Sequence, residues 1–326
     1  MERAEAIELI RASGIGHENV DAVLERLLPS ARIVVQEDQS ASKRKRSNSH
    51  FGGLPSLPTD VEWPRWDKRA LVRSKIARLE ERAKSHRMPA AMLKMSDKMR
   101  GELETESAPL AFLAQLSLAE IAQSAPIQGW PTDGTLAFFC DTVQVDWGFD
   151  PLARGHGRVM YFAYKEELVR TEPPDDLPDT ARFPKRKLEF QFEWTIPLRI
   201  RAADIDISVW SNDEYAALCR RLQGESTDRT PIHRYGGHPQ EIQNEMRLQC
   251  QLVSNGLYCG DASGYNDPRR ARLEAGAADW KLLLQIDSDN RLGWMWGDVG
   301  RLYFWTRTQE IAQRRFERSW TILQCY

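Results

Sequence analysis

The sequence predicts an α+β fold rich in antiparallel strands, made of two related β-rich halves with peripheral helices. The first observation is the stretch 280–305, where two short apolar runs flank an acidic loop that contains glycine. The second is the strict alternation of apolar and polar residues over 188–196, which is typical of an antiparallel strand with one buried face. The third is a weaker copy of the first stretch nearer the N-terminus.

The stretch 280–305 predicts two buried strands joined by a loop. Residues 281–286 form an apolar run that stops at a turn-forming cluster, 287–290. Residues 301–305 are mostly apolar and aromatic and follow a glycine-containing turn, which favours a second strand. Between the two runs, residues 293–297 place large apolar side chains beside glycines, which let the backbone bend sharply.

Three signals recur in the same order in the two halves. Each half has an aromatic-Gly-Gly-x-Pro turn, at 51–55 and at 235–239. Each then has an apolar run that ends on or just after a glutamine, Gln115 or Gln285, followed by an apolar run after a glycine. We interpret this pattern as an old internal duplication with insertions. The alternative is a chance match, because short apolar runs are loosely specified.

The composition is that of an ordinary globular protein. The chain has 326 residues, 41% of them hydrophobic and 28% charged, enough for a substantial core. A formal net charge of −2 gives no overall attraction to nucleic acid or to an anionic membrane, so we expect neither as a partner. The chain has five cysteines without a Cys-x-x-Cys pair, which fits a reducing compartment. It also has no visible signal peptide and no apolar run of membrane length, so we expect a cytoplasmic protein.

We divide the chain at about residue 45. Residues 1–45 are predicted to be an N-terminal helical arm and a basic linker, with Pro29 ending a helix. Residues 46–326 are predicted to be the main domain, with a first half at about 46–224 and a second half at about 225–326. The basic run 43–46 is interpreted as a solvated loop, because no aromatic residues interleave with its charges. Contact with phosphate or an acidic partner is the alternative.

Helices are also predicted inside the main domain. Capping-box spacing at Ser211 opens a helix that extends to about residue 222, and a second helix is predicted over 239–253. A helical insertion covers about 65–105, and Pro89 stands where its second helix can begin.

Four methionines repeat along this insertion at spacings of 4, 3 and 4: Met88, Met92, Met95 and Met99. Methionine side chains adapt to irregular or exchangeable partners. This stripe is therefore a candidate partner-binding surface, with ordinary packing against its own domain as the alternative.

The C-terminal third carries a dense set of motifs: Gly236-Gly237-His238-Pro239, then residues 249–258, 264–269, 283–289 and 295–300. Residues 51–55 add a match near the N-terminus. Over about residues 50–326 the chain resembles the YwqG-like family, a bacterial family of unknown function. The resemblance implies an α+β fold rich in antiparallel strands and supplies no catalytic residues. Similar members occur near bacterial toxin systems, which implies an immunity-like binding role.

Six residues are candidates for a ligand-binding cleft between the halves. Gln115 and Gln285 end equivalent runs, so a pseudo-two-fold axis would bring their amides to a shared cleft. The other candidates are Asp287, Asp298, Trp296 and His238. The structural alternative is that the amides tie backbone together and that the aspartates cap their own turns. With no EF-hand, P-loop, Gly-x-Ser-x-Gly or clustered histidine motif, we predict no metal and no cofactor and assign no catalytic residue.

We expect a non-enzymatic binding protein with a protein partner, whose binding surface includes the methionine stripe and Trp294. The alternative is an enzyme or small-ligand binder that uses the cleft between the halves. Binding through the surface predicts that the six cleft residues are packed and leave no pocket. The enzyme hypothesis predicts an open polar cavity that contains a titratable group.

Overall fold

The structure is a computed structural model that describes residues 1–36, 48–84, 89–104, 107–143, 146–202, 205–223 and 230–326. Within these ranges the strands are β1 (Leu28–Val35), β2 (His50–Phe51), β3 (Ser56–Leu57), β4 (Arg65–Trp66), β5 (Ala108–Pro109), β6 (Ala111–Ser117), β7 (Thr135–Cys140), β8 (Gly157–Phe162), β9 (Val169–Arg170), β10 (Arg186–Thr195), β11 (Arg199–Ala202), β12 (Ile205–Ser208), β13 (His233–Gly236), β14 (Trp280–Asp287), β15 (Arg301–Arg307) and β16 (Trp320–Gln324). The α-helices are α1 (Arg3–Arg11), α2 (His17–Leu24), α3 (Arg69–Ala83), α4 (Pro89–Arg100), α5 (Leu118–Ser124), α6 (Asp213–Leu222), α7 (Arg247–Ser254), α8 (Ala262–Asn266), α9 (Arg270–Leu273) and α10 (Thr308–Ala312).

Ten strands form one large, nearly closed antiparallel sheet. Their order is β16-β15-β14-β13-β1-β10-β2-β6-β7-β8. The two edges meet where Gly157 of β8 lies against Thr321 of β16, and the Leu323 N–H donates to the Trp147 carbonyl at 3.3 Å. A Cβ on Gly157 would lie 2.1 Å from Thr321 Oγ1, so only glycine lets the edges approach this closely. The predicted mixture of helices and antiparallel strands is confirmed.

The sheet curves around a large apolar core, and helices cover its outer face. Successive residues of a strand point to opposite faces. Phe138 of β7 therefore lies in the central core while Phe139 packs in a smaller outer cluster with α3. At the middle of the core the ring of Phe138 meets that of Phe304, with centroids 5.2 Å apart. On the outer face, α1, α2 and α6 pack around Trp194, and α7 packs around Trp280.

The alternating and apolar patterns correctly predict β10, β14 and β15, but the sequence analysis does not predict β1. This strand begins next to Pro29, which the sequence analysis interprets as the end of a helix. It lies at the centre of the large sheet, where Ala31 is opposite both Tyr235 of β13 and Phe192 of β10. The basic run 43–46 lies outside the described residues.

The pairs β2–β6 and β13–β14 have matching geometry. Phe51 lies opposite Ala114 in the first pair, and Tyr235 lies opposite Leu284 in the second, one residue before each candidate glutamine. β6 and β14 also each contain a register irregularity about two residues before that glutamine. The two Gly-Gly turns therefore leave the sheet in equivalent positions.

We expect Phe138→Ala to lower the free energy of unfolding by about 3–5 kcal/mol, because a fully buried ring would be replaced by a cavity. Urea unfolding measures this, with Tyr164→Ala as the control at a position that is 82% exposed. A double-mutant cycle with Phe304→Ala should give a coupling of about 0.5–1.5 kcal/mol. Equal losses in Phe138→Ala and the control would contradict the placement of this ring.

Candidate functional site

Five of the six predicted cleft residues are packed inside the protein. Gln285 is fully buried, and Gln115, Asp287, Trp296 and His238 are at most 8% exposed. The sixth, Asp298, lies on the exposed surface, where its carbonyl accepts the Tyr326 N–H at 3.1 Å. The structure therefore does not bring the six side chains together in an open polar cleft.

The two glutamines bind backbone groups just after the Gly-Gly turns. Gln115 Oε1 accepts the Ser56 N–H at 2.7 Å, and Gln285 Oε1 accepts the Gln240 N–H at 2.8 Å. The Gln285 amide also donates to the Ile232 carbonyl at 2.8 Å. Since buried polar groups must be paired, each amide fixes the path of the chain after its turn. These contacts agree with the alternative hypothesis that the two amides tie backbone segments together and bind no ligand.

Asp287 has a similar role in the acidic loop. Its carboxylate accepts the Ile232 N–H at 2.9 Å and lies 2.9 Å from Arg301 Nε. The indole N–H of Trp296 donates to the Asp287 carbonyl at 3.2 Å. The loop is thus held by contacts within the protein.

A buried histidine that was not predicted from the sequence, His233, lies beside this loop and contacts Asp289 of the turn-forming cluster. His233 Nδ1 accepts the Asp287 N–H at 3.1 Å, so Nε2 carries the proton and donates to Asp289 at 3.2 Å. Burial lowers the pKa of His233. Burial opposes ionisation of Asp289, but hydrogen bonds from His233 and Arg291 hold the pKa of its carboxyl well below the ordinary value. Both side chains are 1% exposed, so the pair stabilises the loop and no substrate can reach it.

No group of three or more His, Cys, Asp or Glu side chains in the described ranges is arranged to hold a metal ion. None of the helices in these ranges is both long and apolar enough to cross a membrane.

A groove lies between the helical pair α3–α4 and the body of the protein, with a volume of about 1020 Å³. We call it the basic groove, because five cations and no carboxylate line it among the residues that the structure describes. They are Lys75, Arg78, Arg82, Lys94 and Lys98.

Three partly exposed aromatic rings form the floor of the basic groove. Trp147 and Phe149 are stacked with centroids 6.4 Å apart, and Tyr258 meets Phe149 edge-on at 6.0 Å. The Arg78 guanidinium lies 4.4 Å above the Tyr258 ring, a cation–π contact that fixes both side chains. The floor can therefore receive apolar groups without rearranging.

The cations of the groove fall into two classes. Lys75 and Arg78 are already paired, with Asp146 at 2.6 Å and Asp150 at 2.5 Å. The other three are exposed and form no ion pair within the described part of the chain: Arg82, Lys94 and Lys98. Lys94 and Lys98 therefore remain available to an anionic partner, and Arg82 lies near the Asp261 carboxylate without forming an ion pair with it.

The methionine stripe reaches this groove in part. Met95 is 56% exposed, and both Met95 and Met99 line the groove. Met92 is partly buried on the same helix, and Met88 lies outside the described residues. Within the described residues, α4 covers Pro89–Arg100.

Trp294 does not belong to a binding surface. It is 1% exposed, and its ring packs against Phe51 at 5.0 Å and Trp296 at 5.6 Å. An aromatic residue between two loop glycines is compatible with either location, and here the ring completes the central core.

The cations and the aromatic floor of the groove were not among the residues predicted from the sequence. One local signal was present, because Lys94 and Lys98 each precede a methionine of the stripe and share its spacing of four. The floor had no such signal, since Trp147 and Tyr258 come from segments far apart in the chain.

The fold and the groove define an α+β protein whose nearly closed ten-stranded sheet carries a basic groove beside a pair of helices. A family model, described as a domain of unknown function (DUF1963), matches residues 49–325, so the chain belongs to this family. No curated protein matches the chain.

We expect Gln285→Leu to lower the free energy of unfolding by about 2–4 kcal/mol, because it leaves the Gln240 N–H and the Ile232 carbonyl without their partner. Urea unfolding compares it with Gln313→Leu, at an exposed position, which should change stability by less than about 0.5 kcal/mol. Unchanged stability in Gln285→Leu would argue against the structural role. Gln285 would then again be a candidate ligand-binding residue.

Stability should fall between pH 7 and pH 5 because buried histidines stay neutral in the folded protein. Burial lowers the pKa of His50 to about 4 and that of His238 to about 3. The unfolded chain binds these protons below pH 6.5 while the folded chain does not, so stability is lost as the pH falls through 6.5. Each group should account for about 2 kcal/mol over this interval.

Urea unfolding at both pH values tests this expectation. The decrease in the free energy of unfolding between pH 7 and pH 5 should be about 2 kcal/mol smaller in His238→Gln. The glutamine amide can still donate to the Arg26 carbonyl. His17→Gln, at an exposed position, is the control and should keep the wild-type pH dependence. Identical pH dependence in all three proteins would show that His238 is not a buried neutral group.

Proposed function

We propose that this protein is a non-enzymatic binding protein that holds an acidic segment of a protein partner in the basic groove. The observation that carries this proposal is that exposed cations surround an apolar floor: Arg82, Lys94 and Lys98 form no ion pair in the described chain, although Arg82 lies near the Asp261 carboxylate. An amphipathic acidic helix would place carboxylates on these cations and apolar side chains on the floor.

The lining of the groove favours a polypeptide over other anions. Met95 and Met99 offer adaptable apolar contact, and Trp147 and Tyr258 are residue types that dominate binding energy in protein interfaces. A net charge of −2 gives the whole chain no long-range attraction to a nucleic acid. The groove cations act locally, so they select the partner mainly by close contact.

The resemblance to the YwqG-like family suggests a biological role for such binding. We propose that the chain is a YwqG-like protein and that it acts as an immunity-like protein toward a bacterial toxin. All five cysteines are buried and free, which supports a reducing cytoplasmic location. Deletion of the gene in the native host should make cells sensitive to a toxin encoded nearby. Unchanged survival of the deletion strain would count against this role.

We also propose that the two halves derive from an internal duplication. The matching turns and the equivalent contacts of Gln115 and Gln285 support it. Superposition of β2, β6, β7 and β8 on β13, β14, β15 and β16 tests the proposal. Halves that superpose no better than unrelated antiparallel strands would refute it.

We expect the double variant Lys94→Glu/Lys98→Glu to bind an acidic amphipathic peptide roughly 10- to 100-fold more weakly than wild type, because two attractive contacts become repulsive. The probe is a fluorescein-labelled helical peptide of Glu and Leu, followed by fluorescence anisotropy at low and at physiological salt. Salt should weaken binding to the wild type more than to the variant.

The matched control is Lys165→Glu/Lys187→Glu, which makes the same charge change at exposed positions away from the groove and should keep the wild-type affinity. Equal affinity of the two double variants would contradict the groove as the site. Tighter binding of a single-stranded oligodeoxynucleotide than of the peptide, lost in Lys94→Glu/Lys98→Glu, would replace the protein partner with a nucleic acid.

A further inference from the structure

A second cavity, of about 570 Å³, opens at one end of the large sheet. It lies where β1 and β14 begin and β10 and β13 end, and the loop 126–130 and helix α10 form its remaining sides. We call it the mouth cavity. The mouths of curved sheets are a recurring place for small-molecule sites, and this volume lies within the roughly 300–1,000 Å³ of such sites.

The walls of the mouth cavity are mostly apolar and rigidly held. Trp130 meets the Tyr235 ring edge-on at 4.8 Å, and Phe192 meets Trp194 edge-on at 5.1 Å. Leu282 and Ile311, both buried, add aliphatic surface. Because strands and packed rings fix these side chains, the cavity is preformed for an apolar body rather than for a chain of polar groups.

In the described part of the chain, two cations and no carboxylate line the mouth cavity. They are Arg3 of α1 and Lys281 of β14. Arg3 is exposed and forms no ion pair within the residues that the structure describes. Lys281 donates one hydrogen bond to the Ala278 carbonyl at 3.1 Å, which leaves two N–H groups for a ligand.

The surroundings of Lys281 favour the arrival of an anion. Partial burial, and then the nearby positive charge of Arg247, lower the pKa of the Lys281 ammonium group, and the nearby Asp279 carboxylate offsets only part of this decrease. A bound carboxylate would offset both effects, since an opposite charge stabilises the ammonium form.

We propose that the mouth cavity binds a monocarboxylate with an apolar body, of the class of medium-chain fatty acids. The aliphatic chain lies between Trp130, Phe192 and Leu282. The carboxylate lies at the rim on Arg3 and Lys281. This inference involves none of the residues of the basic groove and does not rest on the function proposed above.

Isothermal titration calorimetry with octanoate, decanoate and dodecanoate, each below its micelle concentration, tests the inference. Affinity should rise about fourfold for each added methylene until the cavity is filled. The heat capacity change should be negative, as expected for burial of apolar surface. Decyltrimethylammonium, with the same chain and the opposite charge, should bind at least tenfold more weakly than decanoate. Absence of decanoate binding, or no preference over the cationic analogue, would overturn the proposal.

Variants locate the site. Lys281→Met should weaken decanoate roughly tenfold while leaving decanol unchanged, because only the anion loses its partner. Lys165→Met, which removes an exposed lysine elsewhere, is the matched control and should bind as wild type. Leu28→Trp, at a partly exposed position on the wall, should fill the cavity and abolish binding of both ligands, with circular dichroism to confirm the fold.

The Lys94→Glu/Lys98→Glu variant separates this site from the basic groove. It should retain full decanoate affinity. Loss of decanoate binding in that variant, with retention in Lys281→Met, would assign the fatty acid to the groove and overturn the mouth site.

Discussion

A buried guanidinium holds the centre of this fold together. Arg234 of β13 is fully buried, with Nε 3.0 Å from Glu193 of β10, and the same carboxylate lies 3.0 Å from Arg32 of β1. Arg234 also donates to the His238 carbonyl and to the Gln223 side chain. A buried charge is tolerated only when it is paired and hydrogen-bonded. These contacts therefore require the three central strands, the second Gly-Gly turn and the end of α6 to assemble together.

The same network shows where sequence reasoning succeeds and where it stops. Apolar spacing is a local property, and it was enough to predict β10, β14 and β15. Glu193 occupies a polar position of the alternating strand, which predicts an exposed side chain, yet it is 7% exposed because its partners come from β1 and β13. The helix predicted over 239–253 begins only at Arg247, since the Gln240 and Ile242 N–H groups bind Gln285 and Gln324 instead. Such long-range partners have no local pattern.

The candidate sites also include features that local sequence predicts and features that it does not. The methionine stripe and its helix could be predicted, because both follow a spacing along one segment. The floor of the basic groove could not, because Tyr258 comes from a segment that is far in the chain from Trp147 and Phe149. Both glutamines selected from the sequence accept a backbone N–H that follows a Gly-Gly turn, so their amides bind the turns rather than a ligand. The glutamine found near the end of each buried strand therefore indicated a structural contact rather than a binding site.

The close approach of β8 and β16 limits how other chains can associate with this protein. An open sheet edge offers a row of free N–H and carbonyl groups to any extended peptide, whether a partner or another copy. In the large sheet, each edge strand instead faces the other where Gly157 meets Thr321. Because Gly157 has no side chain, the two edges approach each other closely at that seam. Strand addition and edge-to-edge aggregation are therefore blocked there. Recognition on this sheet is left to side chains, so selectivity depends on shape and charge rather than on backbone pairing.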